Sequence, residues 1–252
     1  MHESAMKNGE VFFATYSKYF KDKGLTVVDV GAQDFNGSLK EVCPKKFKYI
    51  GVDFQDGKGV DIVLSDPYTL PFENETIDIV VSSSCFEHSE MFWISFLEIL
   101  RVLKPTGLFY LNVPSDGGVH KHPVDCWRFY PDSGQALVTW AKRNGFNSTL
   151  LECYTQLEGN WYDYVAVFLK SNENKSRYND RILHHKKDFE NGMMVDNDHL
   201  FNPASATQNE RKISKLRPRS LKAIVRSLKA IVKKLFLIDL IRRLLKSTPS
   251  QS

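Results

Sequence analysis

Two stretches of this chain bring together residue types that do chemistry when held at short range. The first is Val27-Val28-Asp29-Val30-Gly31-Ala32-Gln33-Asp34-Phe35-Asn36-Gly37-Ser38, an apolar, β-branched run ending at a glycine-containing turn. Asp53 closes the next apolar run, 22 residues after Gly31. A strand feeding such a turn brings backbone N–H groups and a helix N-terminus up to a ligand. A carboxylate at the tip of the following strand accepts hydrogen bonds from both hydroxyls of a ribose. Together they read as a nucleotide-cofactor site; the plain alternative is a tight turn with no ligand. The second stretch, from Pro114 to Pro131, gathers His120, His122, Asp116, Asp125, Trp127, Arg128 and Tyr130, more than a simple connection needs. His120 or His122, with an ordinary pKa near 6.5, is a candidate general base. Asp125 is available to orient it, Arg128 to hold a carboxylate or phosphate through two hydrogen bonds, and Trp127 and Tyr130 to stack on a sugar or aromatic ring. The same residues also suit a lid packed on its own aromatics, with Arg128 paired to Asp125 or Asp132. His120-x-His122 has no third ligand at a characteristic spacing, so no metal is assigned.

Between these stretches, Ser65-Asp66-Pro67-Tyr68-Thr69-Leu70-Pro71-Phe72 precedes Ile77-Asp78-Ile79-Val80-Val81-Ser82-Ser83-Ser84. Phe86-Glu87-His88 and then Glu98-Ile99-Leu100-Arg101-Val102-Leu103-Lys104-Pro105-Thr106-Gly107 follow. Four motifs in this order, over residues 25–115, resemble the class I S-adenosylmethionine-dependent methyltransferases of small-molecule and saccharide type. The resemblance implies S-adenosyl-L-methionine as cofactor, with Asp29, Gly31 and Gly37 around its methionine part and Asp53 on the ribose. It further implies Phe54 packed on the adenine, Asp66 at the adenine amino group, and His88 near the sulfonium. As an alternative, His88 is a polar residue at a helix start, bonded to backbone. One departure is plain: the family's commonest turn is Gly-x-Gly-x-Gly, whereas here Gly31 is followed by Ala32, Gln33 and Asp34 and the next glycine is Gly37. Gln33 and Asp34 are therefore not assigned as contacts.

The elements that must position these residues alternate. Leu25–Val30, Tyr49–Asp53, Val60–Leu64, Ile77–Ser82 and Leu108–Val113 predict buried strands. Glu90–Leu103 has apolar residues at helical spacing and stops at a Pro and Gly pair, and a further helix opens at Pro131-Asp132-Ser133 and ends near Asn144-Gly145. Ser148–Tyr154 and Trp161–Leu169 predict an antiparallel pair around Glu158-Gly159-Asn160. The fold class expected is α/β: a Rossmann-like, doubly wound, mostly parallel seven-stranded sheet with a reversed last strand, helices on both faces and a C-terminal basic amphipathic helix. The expected organisation is a methyltransferase domain over 1–170, a polar linker over 171–212 with a short helix around Asp180–Phe189, and a helical tail over 213–252.

At 252 residues and 42% hydrophobic, the chain buries one sizeable core. Cys43, Cys85, Cys126 and Cys153 show neither Cys-x-x-Cys spacing nor disulfide density, so reduced thiols and a cytoplasmic setting are expected. The start of the chain lacks an apolar signal core, and no uncharged apolar run reaches membrane-spanning length. Charge is divided unevenly. Residues 211–246 hold 13 Lys or Arg and one acid, for +12, while residues 1–210 hold 21 basic and 29 acidic residues, for −8; the two give the net +4. In the tail, Ser220-Leu221-Lys222-Ala223-Ile224-Val225-Arg226 is followed at a period of seven by Ser227-Leu228-Lys229-Ala230-Ile231-Val232-Lys233. Such a basic amphipathic helix suits an anionic membrane surface; docking on the body, a short coiled coil with a second copy, and nucleic-acid contact are the alternatives.

The function expected is methyl transfer to an oxygen or nitrogen of a small molecule or saccharide, on the inner face of the membrane if the tail binds there. A nucleic-acid substrate is disfavoured by the negative body. Two other readings stand beside it. An NAD(P)-dependent oxidoreductase shares the glycine turn and Asp53 but lacks Gly-x-Gly-x-x-Gly. A non-catalytic membrane-surface adaptor would keep the fold without turnover. No P-loop and no Gly-x-Ser-x-Gly elbow is present.

Overall fold

A computed structural model describes residues 2–20 and 24–204. Nine strands form one sheet: β1 (Thr26–Val30), β2 (Lys48–Asp53), β3 (Ile62–Val63), β4 (Ile77–Ser83), β5 (Leu103–Pro114), β6 (Thr149–Glu158), β7 (Trp161–Leu169), β8 (Glu190–Met194) and β9 (Asn197–Phe201). Their spatial order is β3-β2-β1-β4-β5-β7-β6-β8-β9. The first five strands pair in parallel, and β7 enters antiparallel to β5, with Asn112 opposite Val165. This is the doubly wound sheet with the reversed final hairpin that the alternating pattern predicts, with the hairpin turned at Gly159 (φ +61°).

Each strand alternates its side chains between two cores. Val28, Val30, Val80, Phe109 and Leu111 pack against Phe96, Ile99 and Leu100 of α2 (Phe92–Val102) and Leu137 and Ala141 of α3 (Ser133–Arg143). Their strand neighbours Val27, Ile79, Val81, Leu108 and Tyr110 pack against Phe12, Phe13 and Tyr16 of α1 (Glu3–Tyr16). Burying each of these large apolar side chains stabilises the fold by about 1.5–3 kcal/mol.

Four expectations need correction. The helix whose N-terminus was to follow the glycine turn is a single 3₁₀ turn, Leu39–Glu41, capped by the Ser38 hydroxyl. The sheet has nine strands rather than seven. Residues 171–201, expected as part of a polar linker, belong to the same body: β8 pairs with β6 and β9 with β8. The short helix expected around Asp180–Phe189 is a 3₁₀ turn, Ile182–His184. The physical reason lies in a few large side chains scattered through polar sequence: Tyr178, Ile182 and Leu183 are buried in the α1-side core. Glu152 of β6 anchors the segment, its buried carboxylate accepting the Tyr16 hydroxyl (2.6 Å) and the N–H groups of Ile182 (2.8 Å) and Leu183 (2.9 Å). Among the described residues no helix is long and apolar enough to cross a membrane. The rest of the expected linker and the expected amphipathic helix over 213–252 lie outside the described residues.

Candidate active site

The turn after β1 and the tip of β2 form one wall of the site. Gly31 and Ala32 donate their N–H groups to the Val52 carbonyl (3.0 and 3.2 Å). Gly31 holds φ +83°, and a Cβ there would lie 2.5 Å from the Cβ and Sγ of Cys85, so only glycine fits beneath the segment that follows β4. Asp53 is buried at its strand tip, and its two oxygens accept one backbone N–H each, from Gln33 (3.1 Å) and Gln55 (3.2 Å). A carboxylate oxygen takes two hydrogen bonds, so each keeps capacity for one more donor. Phe54, next in sequence, is exposed.

Other polar residues of this wall also bond within the protein. Asp34 accepts the Gly37 N–H (2.7 Å) and pairs with Lys58 (2.6 Å). Asp29 is buried and accepts the Tyr49 hydroxyl (2.6 Å); burial pushes its carboxyl up to about 7, against the lowering effect of that hydrogen bond. Asp66 is exposed just beyond β3, where Leu64 N–H bonds to the Asp53 carbonyl. Both its oxygens close their own turn, on the Tyr68 N–H (3.0 Å) and the Thr69 hydroxyl (2.8 Å), which holds the carboxyl below its usual range.

The opposite wall joins the turn after β4 to the loop after β5. Cys126 and Trp127 donate N–H groups to the Glu87 carbonyl (2.8 and 3.2 Å), and the Trp127 indole donates to the Ser89 carbonyl (2.9 Å). The Trp127 ring packs edge-on against Phe92 and Trp93, as the lid reading expects, while Tyr130 stays exposed. These bonds bring three histidines together. The rings of His88 and His120 lie 5.0 Å apart and nearly perpendicular, and His122 lies 6.2 Å from His88. His88 Nδ1 sits 2.5 Å from the Val124 carbonyl, and burial lowers its pKa. Asp125 is bonded by Arg128 through both oxygens (2.6 and 2.8 Å) and by the His120 N–H (2.7 Å), so its carboxyl lies well below the usual range. Arg128 is thus engaged inside the loop, and Asp125 positions the His120 backbone, its nearer oxygen 3.6 Å from the ring nitrogen.

Sequence reasoning assigned no role to Glu87, the immediate neighbour of His88. It is 1% exposed, its Oε2 has no hydrogen-bond partner, and burial pushes its carboxyl up to about 8. A charged residue in a short Phe-Glu-His turn reads as solvated until a distant loop covers it; its adjacency to His88 was the available signal.

Comparison with known proteins agrees with this geometry. Residues 14–111 match the family model described as a methyltransferase domain. Over 96 residues the chain is 31% identical to the phthiotriol/phenolphthiotriol dimycocerosates methyltransferase of Mycobacterium leprae (strain TN), covering 36% of this chain and 32% of that protein. The corresponding protein of Mycobacterium tuberculosis (strain ATCC 25177 / H37Ra) is 33% identical over 79 residues, 30% of this chain and 25% of that protein. The chain therefore matches about a third or less of the length of these relatives. Among solved structures, the Burkholderia thailandensis 1,6-didemethyltoxoflavin-N1-methyltransferase, with bound 1,6-didemethyltoxoflavin and S-adenosylhomocysteine, shares the fold. Its TM-score is 0.51 at 16% identity, over 68% of this chain and 80% of that chain.

Proposed function

Because the chain carries a class I S-adenosylmethionine-dependent methyltransferase domain, we propose that it transfers a methyl group from S-adenosyl-L-methionine to an oxygen or nitrogen of a small molecule or saccharide. The observation that carries the reading is Asp53. It is a strand-tip carboxylate fixed by two backbone N–H groups beside the Gly31 turn, with capacity left for two vicinal ribose hydroxyls. The exposed Phe54 ring offers an apolar face for the adenine. When bound, the cofactor supplies an electrophilic methyl group on sulfur.

The chain's own work is then to position the acceptor and, for a hydroxyl acceptor, to take its proton. His88, His120 and His122 face one another at the carboxyl ends of β4 and β5, where ligands of doubly wound sheets bind. The Asp125–Arg128 pair holds the loop that carries two of them. The acceptors named for the Mycobacterium and Burkholderia proteins support a small-molecule acceptor here. The +12 charge of residues 211–246 supports work at an anionic membrane surface.

A screen of small-molecule and saccharide acceptors for S-adenosylhomocysteine release tests the reading. Acceptor-dependent release is expected; binding of NADH in its place would favour the oxidoreductase.

A further inference from the structure

We infer that Glu87, His88 and His120 bind one divalent transition-metal ion, and that this ion takes a hydroxyl oxygen of the methyl acceptor as a further ligand. The second half rests on the methyl-transfer reading; the first does not. One donor atom from each of the three residues lies within 4.8 Å of the other two. Two imidazoles and one carboxylate are the donor set of metal sites that keep positions free for a substrate.

The surroundings point the same way. A metal-bound histidine donates its other ring N–H to a carbonyl or carboxylate, which fixes the tautomer. His88 Nδ1 lies 2.5 Å from the Val124 carbonyl, and His120 Nδ1 lies 3.2 Å from the Gly118 carbonyl, closer than the Arg128 Nη2 at 3.4 Å. With the protons there, both Nε2 atoms present lone pairs. The two rings are nearly perpendicular. Glu87 supplies the missing anion. Its Oε2 is buried without a partner and its Oε1 lies 3.7 Å from His88 Nε2, too far for a hydrogen bond. A buried carboxylate oxygen without a donor is unfavourable unless the group holds a proton or a cation accompanies it.

Arg128, the nearest fixed cation, is neutralised by its two bonds to Asp125. With Glu87 ionised against the ion, the local charge from Glu87, Asp125 and Arg128 is −1, favourable to a dication. Imidazole ligands select zinc, cobalt, nickel or iron over calcium and magnesium. The ion would also join the turn after β4 to the loop after β5. Three protein ligands leave coordination positions open, and an acceptor hydroxyl bound there is acidified. Its O–H bond breaks, the proton passes to His122 and the electron pair stays on the oxygen, with no change of oxidation state.

The test titrates chelator-treated full-length protein with Zn²⁺ by calorimetry and with Co²⁺ by visible absorption, with S-adenosylhomocysteine titrated in parallel. One ion per chain is expected at micromolar or tighter affinity, with Co²⁺ bands that shift on adding acetohydroxamate, a two-oxygen probe. His120→Ala, on an exposed loop, and His88→Ala each weaken binding at least tenfold. His185→Ala, in the Asp180–His184–His185 surface cluster, leaves binding unchanged. The site is overturned if neither ion binds, or if His88→Ala and His120→Ala bind as the unaltered chain does. Bands indifferent to acetohydroxamate overturn the acceptor ligand. Failure to bind S-adenosylhomocysteine, with metal binding intact, would remove the methyl-transfer reading and leave the metal site standing.

Discussion

The two walls of the site sit at the same end of the sheet and use their polar groups in opposite ways. On the wall made by β1 and β2, nearly every polar group is turned inward: Gly31 and Ala32 on Val52, Asp34 on Gly37 and Lys58, Asp29 on Tyr49. Asp53 combines a fixed, buried position at the strand tip with spare acceptor capacity. The wall between β4 and β5 leaves Glu87 Oε2 and Arg128 Nε buried without partners, and three imidazoles face one another. On the proposed reading, the first is a preformed mould for the cofactor. The second spends stability to keep reactive groups available, as catalytic sites do.

That contrast breaks most readily on the reactive wall. His122→Gln should lower turnover on an identified acceptor about 10²–10⁴-fold, with S-adenosylhomocysteine affinity unchanged; steady-state kinetics beside calorimetry reads both. Equal loss in both quantities would merge the two walls. On the mould wall, Gly31→Ala forces an L-residue to φ +83° and a methyl into Cys85. Denaturant unfolding should show a loss of about 2–5 kcal/mol, the sum of a left-handed backbone and an overpacked contact.

Buried Asp29 gives a pH-dependent version. Its folded carboxyl titrates at about 7 against an ordinary 3.8, so the folded state holds the extra proton between those values. The stability this contributes is complete below about pH 4 and is lost as pH rises through about 7. The melting temperature of the unaltered chain should therefore fall relative to Asp29→Asn from pH 5 to pH 8; a constant difference would place Asp29 in contact with solvent. Lys58→Ala, at the exposed edge of the same wall, should change stability by no more than about 1 kcal/mol, because the Lys58 side chain is solvated and the Gly37 N–H still holds the Asp34 carboxylate.

Legibility in the sequence follows the same physics. Strands buried on both faces, such as Ile77–Ser83, write continuous apolar runs, and α2 and α3 write a helical period. α1 escaped because its polar first turns hide the Phe12, Phe13 and Tyr16 stripe. The extension from Tyr178 to Phe201 escaped because its burial rests on isolated large residues and on Glu152, whose partners lie in α1 and after β7. In the site, Gly31 and Asp53 could be read because backbone turns demand particular residues at particular spacings. The engagement of Arg128 with Asp125 and the burial of Glu87 depend on how a long loop folds back on a turn about forty residues earlier, which local pattern does not encode.

The most direct test of the mould wall is calorimetric titration of the full chain and its Asp53→Ala variant with S-adenosylhomocysteine. Micromolar binding to the unaltered chain, weakened more than about tenfold in the variant as two ribose hydroxyls lose their acceptor, is the predicted result. Equal affinities for the two proteins, or no binding by a folded unaltered chain, would contradict it.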